Sequence, residues 1–185
     1  MMIMQAFVSV ALNLDDPLPY SASIVFEQSY SEVDGDSASL AELCAFVSAL
    51  SQQPINQAIA ITGAVDQFGR VQAVGGINEK IEGYYQVCAH RGLTGQQGVV
   101  LPKTNLSSLC LRNDVVEAIR AGQFHIWAVD DVEQALPLVT GLPFSGEEEE
   151  TLLRKISNRI NHFHTDEKQS CNSLFKRVKN WFGQY

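Results

Sequence analysis

The sequence predicts a mixed domain of the α+β class that ends near Pro143, and three observations carry that reading. Apolar residues recur with period two in some segments and with period 3.6 in others. Glycine, proline and aspartate clusters fall between those segments, where turns belong. Strands and helices then follow one another without the strict repeat of a barrel or a doubly wound sheet. At 185 residues and 45% hydrophobic content, the chain can bury one core of ordinary size and carry an appendage.

Phe7-Val-Ser-Val-Ala-Leu12 reads as a first strand. The stretch from Met1 lacks a Lys or Arg to open a secretion signal, and it is far short of the ~20 residues that a membrane span needs. The two leading methionines fit a chain cut from something longer. Asp15-Asp16-Pro17-Leu18-Pro19 is a loop, and Ser23 to Tyr30, with Ile24, Val25 and Phe26, is a strand. After a turn at Asp34-Gly35-Asp36 the period changes: Leu40, Leu43, Cys44, Val47 and Leu50 mark one face of a helix that Pro54 follows. Ala58 to Thr62 is a short strand. Gly63 to Val74 then alternates around Asp66-Gln67-Phe68-Gly69 as a hairpin-like connection. Gly75-Gly76 breaks it, and a helix runs from Ile77 to about His90, closed by Arg91-Gly92. Gly98 to Pro102 is a strand, Val115 to Ala121 a helix, Phe124 to Val129 a strand and Val132 to Val139 a helix. Residues 1–143 are thus expected to form the domain and 144–185 a helical tail. In the tail, the acidic run Gly146 through Glu150 suits a helix start. Leu152, Leu153, Ile156, Ile160 and Phe163 form one apolar stripe. Leu174, Phe175, Val178, Trp181 and Phe182 form a second, opposite Lys176, Arg177 and Lys179. Packing on the chain's own domain, and docking to a partner or membrane surface, both fit such stripes.

A net charge of −8 argues against a nucleic-acid partner held by bulk electrostatics. Cys44, Cys88, Cys110 and Cys171 lack the close spacing of a zinc site or disulfide framework, so reduced, mostly buried thiols in a cytoplasmic protein are expected. His90, His125, His162 and His164 form no ligand motif, and no metal is expected.

The chemistry concentrates at two places. Ser37 lies at a sharp turn into a helix, where the first amides are unpaired and can stabilise an oxyanion. The bland alternative is capping: Asp36 or Ser39 can close the helix, and Ser39-x-x-Glu42 matches a capping box. A nucleophilic serine also needs a base. On the helix from Ile77, positions 77, 80, 81, 84 and 88 share a face, and Lys80 is the one charged residue among Ile77, Ile81, Tyr84 and Cys88. Burial disfavours the ammonium form and converts a lysine into a base; lowering its pKa from ~10.4 to ~7.5 corresponds to about 4 kcal/mol. Snorkelling, or pairing with a carboxylate, is the alternative.

Read together, Gly35-Asp-Ser-Ala-Ser39, Thr62-Gly63 and Gly75-Gly-Ile-Asn-Glu-Lys80 resemble the proteolytic domain of Lon proteases, and the GDSAS box resembles the Lon-B-like branch. The similarity runs from about Ser21 to Gly141, with Ser37 and Lys80 43 residues apart as in the family's dyad. The resemblance implies an α+β fold related to the second domain of ribosomal protein S5. It also implies an ATP-dependent serine endopeptidase that cleaves unfolded polypeptides and assembles in six-membered rings. Ser37 would be the nucleophile and Lys80 the base. Thr62 would position the lysine amine, Asp34 would shape the site, and the amides around Ser37 and Ala38 would cradle the oxyanion. Asp36, where the other branch reads GPSAG, could pair with Lys80 and hold it idle. No GxxxxGK[ST] motif is present, so ATP and Mg²⁺ would belong to an upstream module, with no cofactor on this chain. The family's first strands are missing before Phe7, so residues 1–14 are expected to be truncated or reorganised. A non-catalytic assembly domain of the same fold is the rival reading; a small-molecule-binding α/β protein has no positive feature behind it.

Overall fold

A computed structural model describes residues 2–12, 23–25 and 35–161. The chain runs α1 (Met2–Ala11), α2 (Ser39–Ser51), β1 (Ile59–Ile61), β2 (Ala64–Val65), β3 (Val71–Gln72), α3 (Ile77–Arg91), β4 (Gly98–Pro102), a 3₁₀ turn (Lys103–Ser108), α4 (Asn113–Arg120), β5 (His125–Val129) and α5 (Val132–Thr140). Residues 152–161 form a further helix. The fold is mixed α/β. Strands β1, β4 and β5 make a parallel sheet in that order, while β2 and β3 form a separate antiparallel pair.

Parallel strands joined by helices are covered on both faces and so read as continuous apolar runs. Strand β4, Gly-Val-Val-Leu-Pro, is buried at all five positions. Its side chains alternate between two cores. Val100 faces α1, α2, α5 and the 152–161 helix, in a cluster that includes Leu40, Leu43, Val47 and Leu136. Val99 and Leu101 face α3 and α4, with Ile77, Ile81, Tyr85, Val115 and Phe124.

Gly98 fixes the β4–β5 spacing. A Cβ there would collide with the His125 carbonyl and the Trp127 ring, in the registered pair Gly98↔His125. Gly98→Ala is expected to cost about 3 kcal/mol as an overpacked, backbone-blocked site. The midpoint of denaturant unfolding measures it, and an unshifted midpoint would contradict that register.

Several sequence expectations change. Phe7 to Leu12 is not a strand: the segment lies within α1 and the turn after it, because Met4, Phe7 and Val8 sit at helical spacing and bury one stripe. Phe7 also stacks on Phe144, ring centroids 5.5 Å apart. Of the strand expected at Ser23 to Tyr30, residues 23–25 are described and carry no regular structure; the remainder, like Asp34 and the stripe from Leu174 to Phe182, lies outside the described residues. The run Glu147 to Glu150 does not begin a helix but forms exposed bends. Thr151 supplies the cap instead, its Oγ1 accepting from the Arg154 amide at 3.2 Å, and Leu152, Ile156 and Ile160 enter the α2/α5 core with Phe144.

Cys44 and Cys88 are buried free thiols, and Cys110 is an exposed one. Burial pushes the Cys44 thiol up to about 12 from 9.0. The unfolded chain therefore releases that proton at lower pH than the folded one, and this part of the stability is present below pH 9.0 and lost as the pH rises toward 12. At about pH 8, iodoacetamide should modify Cys110 in the native protein and reach Cys44 only after denaturation. Peptide mass mapping reads both sites. Equal rates at the two would show the α2 core to be open.

Candidate active site

Three segments converge on one cavity. The first is the turn before α2. Gly35 adopts φ +95°, which favours glycine, and lets the chain swing into the helix. The Ser37 carbonyl accepts from the Gly63 amide at 2.9 Å and from Thr62 Oγ1 at 3.3 Å. The Leu40 amide donates to the Gly63 carbonyl at 3.0 Å, and Ser39 Oγ accepts from the Val65 amide at 2.9 Å. The turn is therefore fastened to the end of β1 and the start of β2 by backbone and hydroxyl contacts that leave the Ser37 side chain out. Among the described residues the Ser37 hydroxyl and the amides of Ser37 and Ala38 have no hydrogen-bond partner. Unpaired amides at the start of a helix are suited to receiving negative charge.

The capping expectation is corrected by the same contacts. Ala38 is the N-cap residue of α2 and no side chain caps it. Ser39 is already the first residue inside α2, and its oxygen accepts from the Val65 amide instead.

The second segment is the end of β1. The Thr62 amide donates to the Val100 carbonyl at 3.0 Å, which continues the parallel ladder and fixes the residue beside β4. Its side chain is buried at 8% exposure, with one hydroxyl serving two neighbours. It donates to the Ser37 carbonyl and accepts from Lys80 Nζ at 3.4 Å.

The third is the first turn of α3. Gly76 takes a left-handed φ of 65° at the N-cap position, and the Lys80 amide closes the first turn on the Gly76 carbonyl at 3.1 Å. The buried stripe of α3 is Ile77, Ile81, Tyr85 and Cys88. Lys80 flanks that stripe and is exposed on the described chain, which corrects the expectation that it is buried within it. The helix is rotated so that Tyr85 rather than Tyr84 fills the core. Tyr84 turns to the edge, donating to the Ala58 carbonyl at 2.9 Å, and desolvation, chiefly, pushes its hydroxyl up to about 12.

Ser37, Ala38, Thr62 and Lys80 line a cavity of about 240 Å³ together with Ala60, Ile61 and Val99. Asp36 is exposed and, among the described residues, forms no ion pair with Lys80. Asp34 lies outside the described residues. Among those residues no group of three His, Cys, Asp or Glu side chains could hold a metal ion, and no helix is long and apolar enough to cross a membrane. The lining by Ala60, Ile61 and Val99 was missed in the sequence. The available signal was period two on β1, which puts Ala60 on the same side of the strand as Thr62.

The cavity lies inside a recognisable family segment. Residues 27–140 match the family described as the Lon protease C-terminal proteolytic domain. The chain is 54% identical to a Lon protease homolog of Escherichia coli, over 98% of this chain and 31% of that protein. It is 48% identical to a Lon protease homolog of Haemophilus influenzae, over 95% of this chain and 30% of that protein. An archaeal Lon protease of Methanocaldococcus jannaschii is 37% identical over 66% of this chain and 16% of its own length. The chain thus spans about a third of the length of the first two relatives. With the family model covering the turn, the strand and the helix that build the cavity, the chain belongs to the Lon protease C-terminal proteolytic domain family.

Proposed function

We propose that the chain is the serine endopeptidase domain of an ATP-dependent Lon-like protease and cleaves unfolded polypeptides by a Ser–Lys dyad. The observation that carries this is the shared cavity, in which Thr62 hydrogen-bonds both to the backbone of Ser37 and to the amine of Lys80. In the first step the Ser37 hydroxyl passes its proton to the neutral Lys80 amine while Oγ attacks the scissile carbonyl carbon. The oxygen of the tetrahedral intermediate takes the negative charge toward the amides of Ser37 and Ala38. Collapse breaks the C–N bond, and Lys80 returns the proton to the leaving amine. Water, deprotonated by Lys80 in turn, then attacks the acyl carbon; the C–Oγ bond breaks, Lys80 returns the proton to Ser37 Oγ, and the acyl group leaves as a carboxylic acid.

A lysine serves as base only when its ammonium form is destabilised, mainly by desolvation. Lys80 is exposed on the described chain, and in this reading bound substrate or a neighbouring subunit would add the shielding. Self-association, hexameric in the longer protein, belongs to this reading, as does a cytoplasmic setting. ATP and Mg²⁺ would act in the remaining two-thirds of a protein the length of the relatives. Gly75-Gly76 opens α3 into Ile77-Asn78, without the Lys-Ser/Thr that a phosphate cradle needs. The rival is a non-catalytic Lon-like assembly domain; the exposure of Lys80 is the observation that favours it.

Incubating the protein, in its assembled form, with a fluorophosphonate separates the two. The expected result is a single adduct mapped to Ser37 and absent from Ser37→Ala. An unlabelled Ser37, or labelling that survives the substitution, overturns the dyad.

A further inference from the structure

Between β3, which ends at Gln72, and α3, which starts at Ile77, the chain passes through Val74, Gly75 and Gly76. Two adjacent glycines make a joint of wide backbone freedom, and a Cβ at Gly75 would meet nothing within 4 Å among the described residues. The apolar stripe of α3 seats the helix, but its first turn leaves the joint with no side-chain cap. One buried side chain supplies a constraint there. Asn105, 6% exposed in the 3₁₀ turn after β4, donates from Nδ2 to the Val74 carbonyl at 3.0 Å and accepts at Oδ1 from the Val74 amide at 2.9 Å. A single amide thus takes both backbone groups of the residue that enters the joint. The same stretch of chain holds the helical turn beyond it. Asn78 Nδ2 donates to the Ser108 carbonyl at 3.1 Å, and Asn78 Oδ1 accepts from the Cys110 amide at 2.8 Å.

We propose that Asn105 is a positioning residue for the proton transfer: by holding Val74 it fixes the Gly75–Gly76 joint, and with it the first turn of α3 that carries Lys80 into the cavity shared with Ser37. This rests on the endopeptidase reading above. Among the described residues the Lys80 amine has one hydrogen bond, of 3.4 Å to Thr62. A bond that long directs weakly, so the backbone beneath Lys80 decides where its amine points. A displacement of about 1 Å is enough to cost on the order of 10²-fold in rate. Asn105 is not among the residues lining the cavity, so its loss acts through the placement of Lys80.

A double-substitution cycle, read by fluorophosphonate labelling of Ser37 on the assembled protein, tests this. Asn105→Ala should slow labelling on the order of 10²-fold in the parent. In Lys80→Ala, followed over longer incubations, it should slow labelling by no more than about 2-fold, since no amine is left to misplace. Asn105→Asp keeps the shape and the acceptor but loses the donor to the Val74 carbonyl. It should show the same dependence on Lys80, and it carries the test if the alanine variant does not fold. Ser108→Ala removes the 2.8 Å bond to the Asn105 carbonyl within the same turn and leaves the Val74 pair, so it should label like the parent. Slowing by one factor in both backgrounds, or equally by Ser108→Ala, would make Asn105 a residue of the fold alone and overturn its positioning role. Parental rates in both Asn105 variants would overturn it too, with the endopeptidase left standing. A Ser37 that stays unlabelled in the unsubstituted protein would overturn both.

Discussion

Ser37→Ala is expected to lower kcat on the order of 10⁶-fold, as removal of a serine nucleophile does elsewhere, while leaving the fold almost untouched. The two halves of that expectation come from different atoms of one residue. The carbonyl of Ser37 holds the turn to Thr62 and Gly63, and alanine keeps that carbonyl. The hydroxyl has no partner among the described residues, so removing it leaves no buried group unsatisfied. Unfolding free energy should therefore change by no more than about 0.5 kcal/mol. Peptide turnover and thermal unfolding, measured on the same preparation, check both halves. Full turnover in the alanine variant would end the nucleophile assignment. A large loss of stability together with a loss of activity would instead make Ser37 a structural residue of the turn.

How much of this could be read from residues alone depends on which forces decide each position. The strands and helices from Leu40 to Val139 were legible because their patterns agree with their burial: the Leu40–Leu50 face of α2, the all-apolar β4, and Gly92 closing α3 at φ 93°. The segment at Phe7 was not, since Phe-Val-Ser-Val alternates locally while its contacts with Phe144 and the α2 core select a helix. The site was legible in its identities and not in its environment. Ser37, Thr62 and Lys80 stand at recognisable spacings, and the structure brings all three to one cavity. The exposure of Lys80 depends on helix rotation, which differs by a fraction of a turn between a stripe through Tyr84 and one through Tyr85. A helical wheel cannot resolve that difference when both tyrosines could fill the core. Ser39 was misread for a related reason: a capping sequence states what the hydroxyl could do, but the Val65 amide across the fold competes for the same oxygen.

Replacing Lys80 separates a base from a mere positive charge. Lys80→Ala should reduce both turnover and fluorophosphonate labelling of Ser37 by roughly 10²–10⁴-fold, the usual contribution of a positioned general base. Lys80→Arg should be as inactive as alanine, since a guanidinium keeps the charge and the donors but does not give up its proton in proteins. Stability should move little in either variant, because the side chain is exposed and its one described hydrogen bond, to Thr62, is 3.4 Å long. The alanine variant also vacates part of the cavity wall, so a small primary amine added to the assay should restore part of the activity. That rescue should grow with pH as the added amine loses its proton, whereas a screening or charge effect would fade with salt and ignore the amine's protonation. An arginine variant that turns over like the parent would remove Lys80 from the proton path and leave Ser37 without a base among the residues lining the cavity. The rival assembly-domain reading would then account for the same geometry.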